Sequence, residues 1–496
     1  MNFKKYTLEI VTFLCGAIVM VFELVGSRVL GPYFGTSTFV WTSLIGIILG
    51  SLSLGYYFGG RLADKKPNIN YLASIILASA ISIFISIFIK RSLLNYLQYT
   101  IADAKIAATI AASILFSPAS ILLGMVSPYT VRLKIEHLSN SGVTVGNLYA
   151  ISTAGSIIGT FLAGFYLIPN YGTNKLLFMM VILLIIISLS LSLKNLFKTR
   201  ILLLSAAILG LFMFNEFGNI AKKISLVDVD TAYNRILIYN TKDQATGKMV
   251  KRMGINNENH SSMFLDNSSF LVNEYTKYYH LAKHFNPDFK KTLMLGGAGY
   301  SFPKNFLTTY PDATMDVIEI DPKITELAKK YFNLKDDPRL TIYHEDGRVY
   351  LNQTTKKYDI IFGDAFSSHY SIPYQLTTIE AVQKKYNLLN DNGTVVLNLI
   401  SAIDGDNGKF LRAEYATYKK IFPQVFLFPI TKPSNGTEIQ NIILVATKSA
   451  IKPSLTSQSQ QTNAQLSHLW KKEVAEDIPI LTDNFAPVDY YINNSL

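Results

Sequence analysis

The chain has 496 residues, 49% of them hydrophobic, with a formal net charge of +11 and a single cysteine. That length exceeds one ordinary domain, and the lone Cys15 excludes an intrachain disulfide and a cysteine-based metal site. The positive charge does not read as a nucleic-acid footprint, because no basic cluster interleaved with aromatics stands out. Much of it lies between long apolar runs, where Lys and Arg orient helices in a lipid bilayer.

In chain order, residues 1–216 form the expected membrane domain. Apolar runs long enough to be candidate spans fall at about 8–30, 40–59, 71–90, 106–126, 145–168, 176–193 and 200–215, about seven in all, the last two short. With alternating helices, Lys4, Lys5, Arg61, Lys65, Lys66, Arg132, Lys134, Lys194, Lys198 and Arg200 share one side, against Arg28, Lys90, Arg91 and Lys175. That bias predicts a cytoplasmic N-terminus. Seven spans would then put the rest of the chain outside, whereas six or eight would keep it in the cytoplasm; an interfacial helix at 200–215 gives six. The first run reads as a retained anchor, since no small-residue cleavage site follows it. Glu23 lies deep in that run, where a carboxylate is costly, and marks either a functional site or a structural pair with Arg28. Gly155, Gly159 and Gly164 lie on one helix near small-residue spacing. They predict close packing within the chain, with a homodimer seam as the alternative.

The pattern changes across the polar stretch Asn215 to Lys223. Residues 224–270 read as a small antiparallel β domain, from the strands ISLVDVD, RILIYN and KMVKRMGIN separated by turn residues. Residues 271–496 open with a predicted helix, NEYTKYYHLAKHF, whose Tyr275, Tyr278, Tyr279 and Ala282 are helically spaced. Strands then alternate with helices: TLMLGG, MDVIEID, LTIYHEDGRVYL, YDIIFGDAF, VVLNLI, FLFPI and NIILVAT. This predicts a Rossmann-like α/β domain of the S-adenosylmethionine-methyltransferase type, with ligands beyond the carboxyl ends of its strands. Gly296, Gly297 and Gly299 end the first strand. Glu319 ends the second, where a carboxylate accepts ribose hydroxyls. Asp346 precedes Gly347 after the third, placed to accept from an adenine amine, and Asp364 ends the fourth. A dinucleotide loop would place GxGxxG against a diphosphate, but Tyr300 and Pro303 interrupt that pattern. A cofactor without phosphate, S-adenosylmethionine or its decarboxylated relative, suits the loop better.

LMLGGAGYSF, DVIEIDP, HEDGRVYL and YDIIFGDAF together resemble the polyamine aminopropyltransferases, the spermidine and spermine synthases. LDNSSFLVNEYTKYYHL and FSSHYSIPYQLTT resemble that family's gate and Tyr-His segments. FELVGSRVLGPYFGTSTFVWT, GYYFGGRLADKKP and LTDNFAPVDYY resemble a branch in which a multi-span region is fused to a spermidine-synthase-like domain. The resemblance implies a membrane-tethered transferase moving an aminopropyl group from decarboxylated S-adenosylmethionine to a small amine. It places Asp364 and Tyr279 at the chemistry; Gly296, Gly297, Gly299, Glu319, Asp346 and Gly347 at the cofactor; and His280, Asp266 and Tyr374 at the substrate. It also implies a multi-pass cell-membrane protein with a cytoplasmic catalytic domain.

Three departures stand out. The family's GGGDG is Gly296-Gly297-Ala298-Gly299-Tyr300, its DSSDP gate is DAFSS, and the glutamate after Tyr-His is Leu281. Three carboxylates that would hold cationic groups are therefore absent. Methyl transfer from S-adenosylmethionine, or ligand binding without turnover in a transporter or sensor, stay open as alternatives. His280 and His284 are four residues apart but lack a third ligand, so no metal is expected.

Overall fold

The computed structural model describes residues 6–101, 103–135, 141–192, 200–210, 227–256, 258–365 and 372–493. The chain divides into two compact units, residues 1–224 with 229–232, and residues 225–228 with 233–496. The Asn215 to Lys223 boundary, Lys4, Lys5, Lys194, Lys198 and the gate residues 366–371 lie outside the described residues.

Six helices among the described residues are long and apolar enough to cross a membrane: Thr7–Phe34, Thr38–Lys65, Ile69–Thr100, Ala104–Lys134, Ser141–Asn170 and Thr173–Leu191. The described part of the seventh run is helical, Arg200–Gly210. Glycine governs how the spans pack. A β-carbon on Gly155 would lie 2.0 Å from the Phe13 carbonyl oxygen, and one on Gly159 2.5 Å from that of Ala17. The first and fifth of these helices therefore meet backbone to backbone, an approach that small residues allow. Gly164 has open space around it and takes no part. Gly55 and Gly124 bring the second and fourth spans equally close. Arg132 pairs with Asp64 at 3.1 Å and Lys134 with Glu9 at 2.7 Å. The start of the first span thus shares an end of the bundle with the finish of the second and fourth, as alternating spans require. Glu23 is half-buried near the middle of the first span.

The second unit opens with a four-stranded sheet in the order β1 (Val227–Asp230), β2 (Arg235–Lys242), β3 (Met249–Ile255), β4 (Glu258–Phe264). Pairs β2–β3 and β3–β4 are antiparallel. The predicted helix at 273–285 is broken into the helical turn Glu274–Lys277, a 3₁₀ turn Tyr278–His280 and the short helix Leu281–Phe285.

Seven strands follow: β5 (Lys291–Leu295), β6 (Thr314–Ile318), β7 (Leu340–Tyr343), β8 (Tyr358–Gly363), β9 (Leu389–Ser401), β10 (Gln424–Pro429) and β11 (Gln440–Thr447). Their spatial order is β10-β11-β9-β8-β5-β6-β7. The five strands from β9 to β7 run parallel, and β11 is antiparallel to both its neighbours. Alternate residues Leu293 and Leu295 join Ile361, Val395 and Leu399 in one core cluster with Tyr350, Val382 and Phe410. That cluster glues three helices, Gly347–Gln353, Ile379–Leu388 and Lys409–Lys419, to one face of the sheet. The chain leaves β5 toward β6 and returns on its other side as β8. The switch point of the sheet therefore lies between β5 and β8, and the crevice opens at their carboxyl ends.

Candidate active site

At the end of β5 the chain turns through Gly296, whose φ of +95° suits only glycine. A β-carbon there would sit 2.4 Å from the carbonyl oxygen of Asp364. The turn is pinned from both sides, since Gly296 N–H donates to Ile318 O and Asp364 N–H donates to Leu295 O, each at 2.9 Å. Tyr300 stands in the left-handed region at φ 53° and Ala298 at 42°. Non-glycine residues there carry strain, which commonly collects at functional sites. The buried Tyr300 ring props the loop from beneath, and its hydroxyl meets Thr325 Oγ1 at 2.7 Å.

Glu319 follows β6 and is buried. Its Oε2 accepts N–H bonds from Gly297 at 3.0 Å and Ala298 at 3.1 Å, and its Oε1 accepts from Asp321 at 3.0 Å. Burial pushes its pKa up while these three donors oppose the rise. A carboxylate offers roughly four acceptor positions, so the three used here leave one for a ligand hydroxyl. Asp346 accepts the N–H groups of Arg348 and Val349 at 2.7 and 3.1 Å through Oδ1, starting the helix Gly347–Gln353. The HEDGRVYL stretch therefore leaves its strand at Tyr343. Asp346 Oδ2 accepts from the Gln375 amide at 3.3 Å, its single bond among the described residues.

Asp364 follows β8. Its Oδ1 accepts from Asn398 Nδ2 at 3.0 Å, and its Oδ2 accepts the Tyr275 hydroxyl at 3.2 Å. Tyr279 is fully buried beside it. The Tyr279 oxygen forms no hydrogen bond among the described residues, yet lies near enough to lower the carboxylate's pKa. Burial nevertheless dominates and holds Asp364 above the ordinary carboxylate range. A small open cavity lies against Asp364 and the glycine turn, lined among others by Tyr275, Gly296, Gly297, Ala298, Phe302 and Asp364.

Not every anticipated residue reaches this cavity. His280 has both ring nitrogens engaged, by Tyr310 at 2.7 Å and Asn305 at 2.8 Å. Asp266 pairs with Lys248 at 3.0 Å on the surface, and Tyr374 is 54% exposed. His369 lies outside the described residues. Tyr275 and Asn398 were missed as partners of Asp364. Tyr275 reads as one aromatic among several on a helix face, whereas Asn398 interrupts the apolar run VVLNLI at a strand end and is visible as an anomaly.

Residues 272–454 match the spermine/spermidine synthase domain family. The chain is 28% identical over 221 residues to the polyamine aminopropyltransferase of Vibrio vulnificus, covering 41% of this chain and 71% of that protein. It is 31% identical over 166 residues to the enzyme of that name from Streptococcus pneumoniae serotype 4, covering 32% and 57%. It is 23% identical over 377 residues to polyamine aminopropyltransferase 2 of Aquifex aeolicus, covering 73% and 72%. The alignment with the pneumococcal protein thus spans little more than half of that relative's length. The matched stretch contains the glycine loop, Glu319, Asp346 and Asp364 together. The space that a loop aspartate would occupy at Gly299 is filled, since a β-carbon there would lie 2.7 Å from Ser261 Cβ and 3.0 Å from the Phe332 ring.

Proposed function

We propose that this chain is a membrane-tethered transferase that moves an aminopropyl group from decarboxylated S-adenosylmethionine to a primary amine. The observation that carries this reading is Asp364, a buried carboxylate faced by Tyr275, Tyr279 and Asn398 at the lip of the glycine loop.

The residues present fit the donor. Glu319 keeps one acceptor position for a ribose hydroxyl, Asp346 Oδ2 is placed for the adenine amine, and Tyr279 holds a buried hydroxyl with an unused bond. When bound, the donor supplies a sulfonium whose neighbouring carbon accepts the amine's electron pair as methylthioadenosine leaves. The chain supplies position and a proton acceptor. A free ammonium has a pKa near ~10, so the nucleophile must lose a proton before it attacks. Asp364 orients the amine through one oxygen and takes that proton. Tyr275 and Asn398 fix the carboxylate's rotation, and burial raises its basicity toward the working pH.

Calorimetry with decarboxylated S-adenosylmethionine, S-adenosylmethionine and methylthioadenosine in parallel tests the reading. Preference for the decarboxylated donor, followed by aminopropylation of an amine, supports it. Preference for S-adenosylmethionine would instead favour methyl transfer, a reading that draws on the missing acid at Gly299. Binding of none of the three would overturn both.

We further propose that six spans return the chain to its starting side, placing the synthase domain in the cytoplasm.

A further inference from the structure

The side chain that pulls hardest against the burial of Asp364 is Asn398, whose Nδ2 donates to Asp364 Oδ1 at 3.0 Å. Asn398 is itself 2% exposed, so the carbonyl end of its amide is shut off from bulk water. That end, Oδ1, accepts from Asn441 Nδ2 at 3.0 Å. Asn441, Asn398 and Asp364 thus form a chain of two hydrogen bonds in which each amide turns its N–H toward the carboxylate.

Strand polarity makes the chain possible. Gly363 pairs with Leu397, which sets Asp364 level with Asn398. On its other side Asn398 stands opposite Ile443 of β11, and Asn441, two residues away, shares its face of the sheet. Because β11 runs antiparallel to β9, its first residues, Gln440 and Asn441, lie at the carboxyl end of the parallel strands, where the crevice opens. This strand therefore serves the site from its amino end.

An amide is ambivalent. Turned over, Asn398 would present Oδ1 to residue 364, and a protonated Asp364 would donate to it. The two orientations favour opposite protonation states of the acid. Asn441 weights the choice, because its N–H satisfies Oδ1 while Nδ2 stays on the carboxylate. Without that donor, keeping Nδ2 on Asp364 would leave a buried carbonyl unpaired, whereas turning the amide toward a protonated Asp364 would pair it. We propose that Asn441 is a positioning residue for Asp364, acting only through Asn398, whose N–H it keeps aimed at the carboxylate. The use of that carboxylate as a base rests on the aminopropyl-transfer reading; the geometry of the relay does not.

The test is a cycle of Asn441→Leu, Asn398→Leu and the double variant in the full-length protein. Leucine is close to asparagine in shape but has no polar atoms, and replacing both partners of a buried hydrogen bond in this way is nearly neutral for folding. The titratable groups that act on Asp364, the Tyr275 and Tyr279 phenols, are left in place by every variant. The readout is the pH dependence of kcat/KM for transfer from decarboxylated S-adenosylmethionine to 1,4-diaminobutane. Asn441→Leu should move the acidic limb up by about half a unit or more, with donor affinity by calorimetry unchanged. Asn398→Leu should move it at least as far, and adding Asn441→Leu to it should move it no further. Should Asn398→Leu alone not fold, the double variant takes its place, and its limb must lie at or above that of Asn441→Leu. A folded Asn441→Leu protein, judged by thermal unfolding, whose limb stays put overturns the proposal, as does a shift that recurs in full in the Asn398→Leu background. If the unaltered protein transfers no aminopropyl group, the functional reading fails, and the relay is decided by NMR titration of the aspartate carboxyl carbon that is lost in Asp364→Asn. The same order of midpoints then supports the relay, and a midpoint unmoved by Asn441→Leu refutes it.

Discussion

Asp364 is buried, lifted in pKa by that burial, and pulled back by Asn398, Tyr279 and Tyr275. Because the proposed chemistry needs it ionised, activity should fall as the pH drops through a value above the ordinary carboxylate range. Removing the Tyr275 hydroxyl takes away a donor that favours the charged form. Tyr275→Phe should therefore move the acidic limb of kcat/KM to higher pH, and a pH–rate profile in which that limb stays put or moves down would contradict the assignment. Asp364→Asn should lower kcat by about 10²- to 10⁴-fold, the usual worth of a positioned base, while calorimetry shows unchanged donor affinity. Donor affinity lost together with kcat would point instead to a collapsed site. At this scale the sequence is informative in one direction only. Glycines and acids at strand ends announce themselves because a strand has one carboxyl end. The partners that aim Asp364, Tyr275 and Asn398, come from a broken helix and from β9, and only the folded sheet order brings them to it.

The glycine turn behaves as an element in its own right, clamped between β6 and β8. Gly296→Ala would place a methyl 2.4 Å from the Asp364 carbonyl at a φ of +95°. It should cost at least about 2 kcal/mol and shift Asp364 itself, because φ and space are both wrong. Thermal unfolding together with kcat will show whether stability and turnover fall jointly, and an alanine variant as stable and active as its parent would remove this account. Gly299→Asp, which would rewrite the loop toward the family's GGGDG, should likewise destabilise without raising donor affinity, since Ser261 and Phe332 already fill that space. The departure from the family's loop is thus built into its neighbours. Most elements were readable from periodicity, because apolar strands of a covered parallel sheet are hard to mistake. Two were not. β4 hides in ENHSSMF, whose polar first half masks its pairing, and the segment 274–285 keeps helical spacing while its backbone tightens into a 3₁₀ turn at Tyr278–His280.

For the molecule as a whole, span number decides sidedness. Reporter fusions at the N-terminus and after residue 493 should both read as cytoplasmic, and opposite readings would require an odd number of crossings. The hydrophobic runs located the candidate spans from sequence but could not settle the last one, because the run at 200–215 is shorter than the roughly 20 residues a span needs. Strand order has a consequence for biosynthesis. β5 is made first among the seven strands yet stands near the middle of the finished sheet, and β6 and β7 complete one flank before β8 exists. The ribosome therefore delivers the flank bearing Glu319 and Asp346 ahead of the flank bearing Asp364. A nascent polypeptide paused before residue 358 would carry a half-sheet with its inner edge bare, a transient docking face for whatever chaperone attends it.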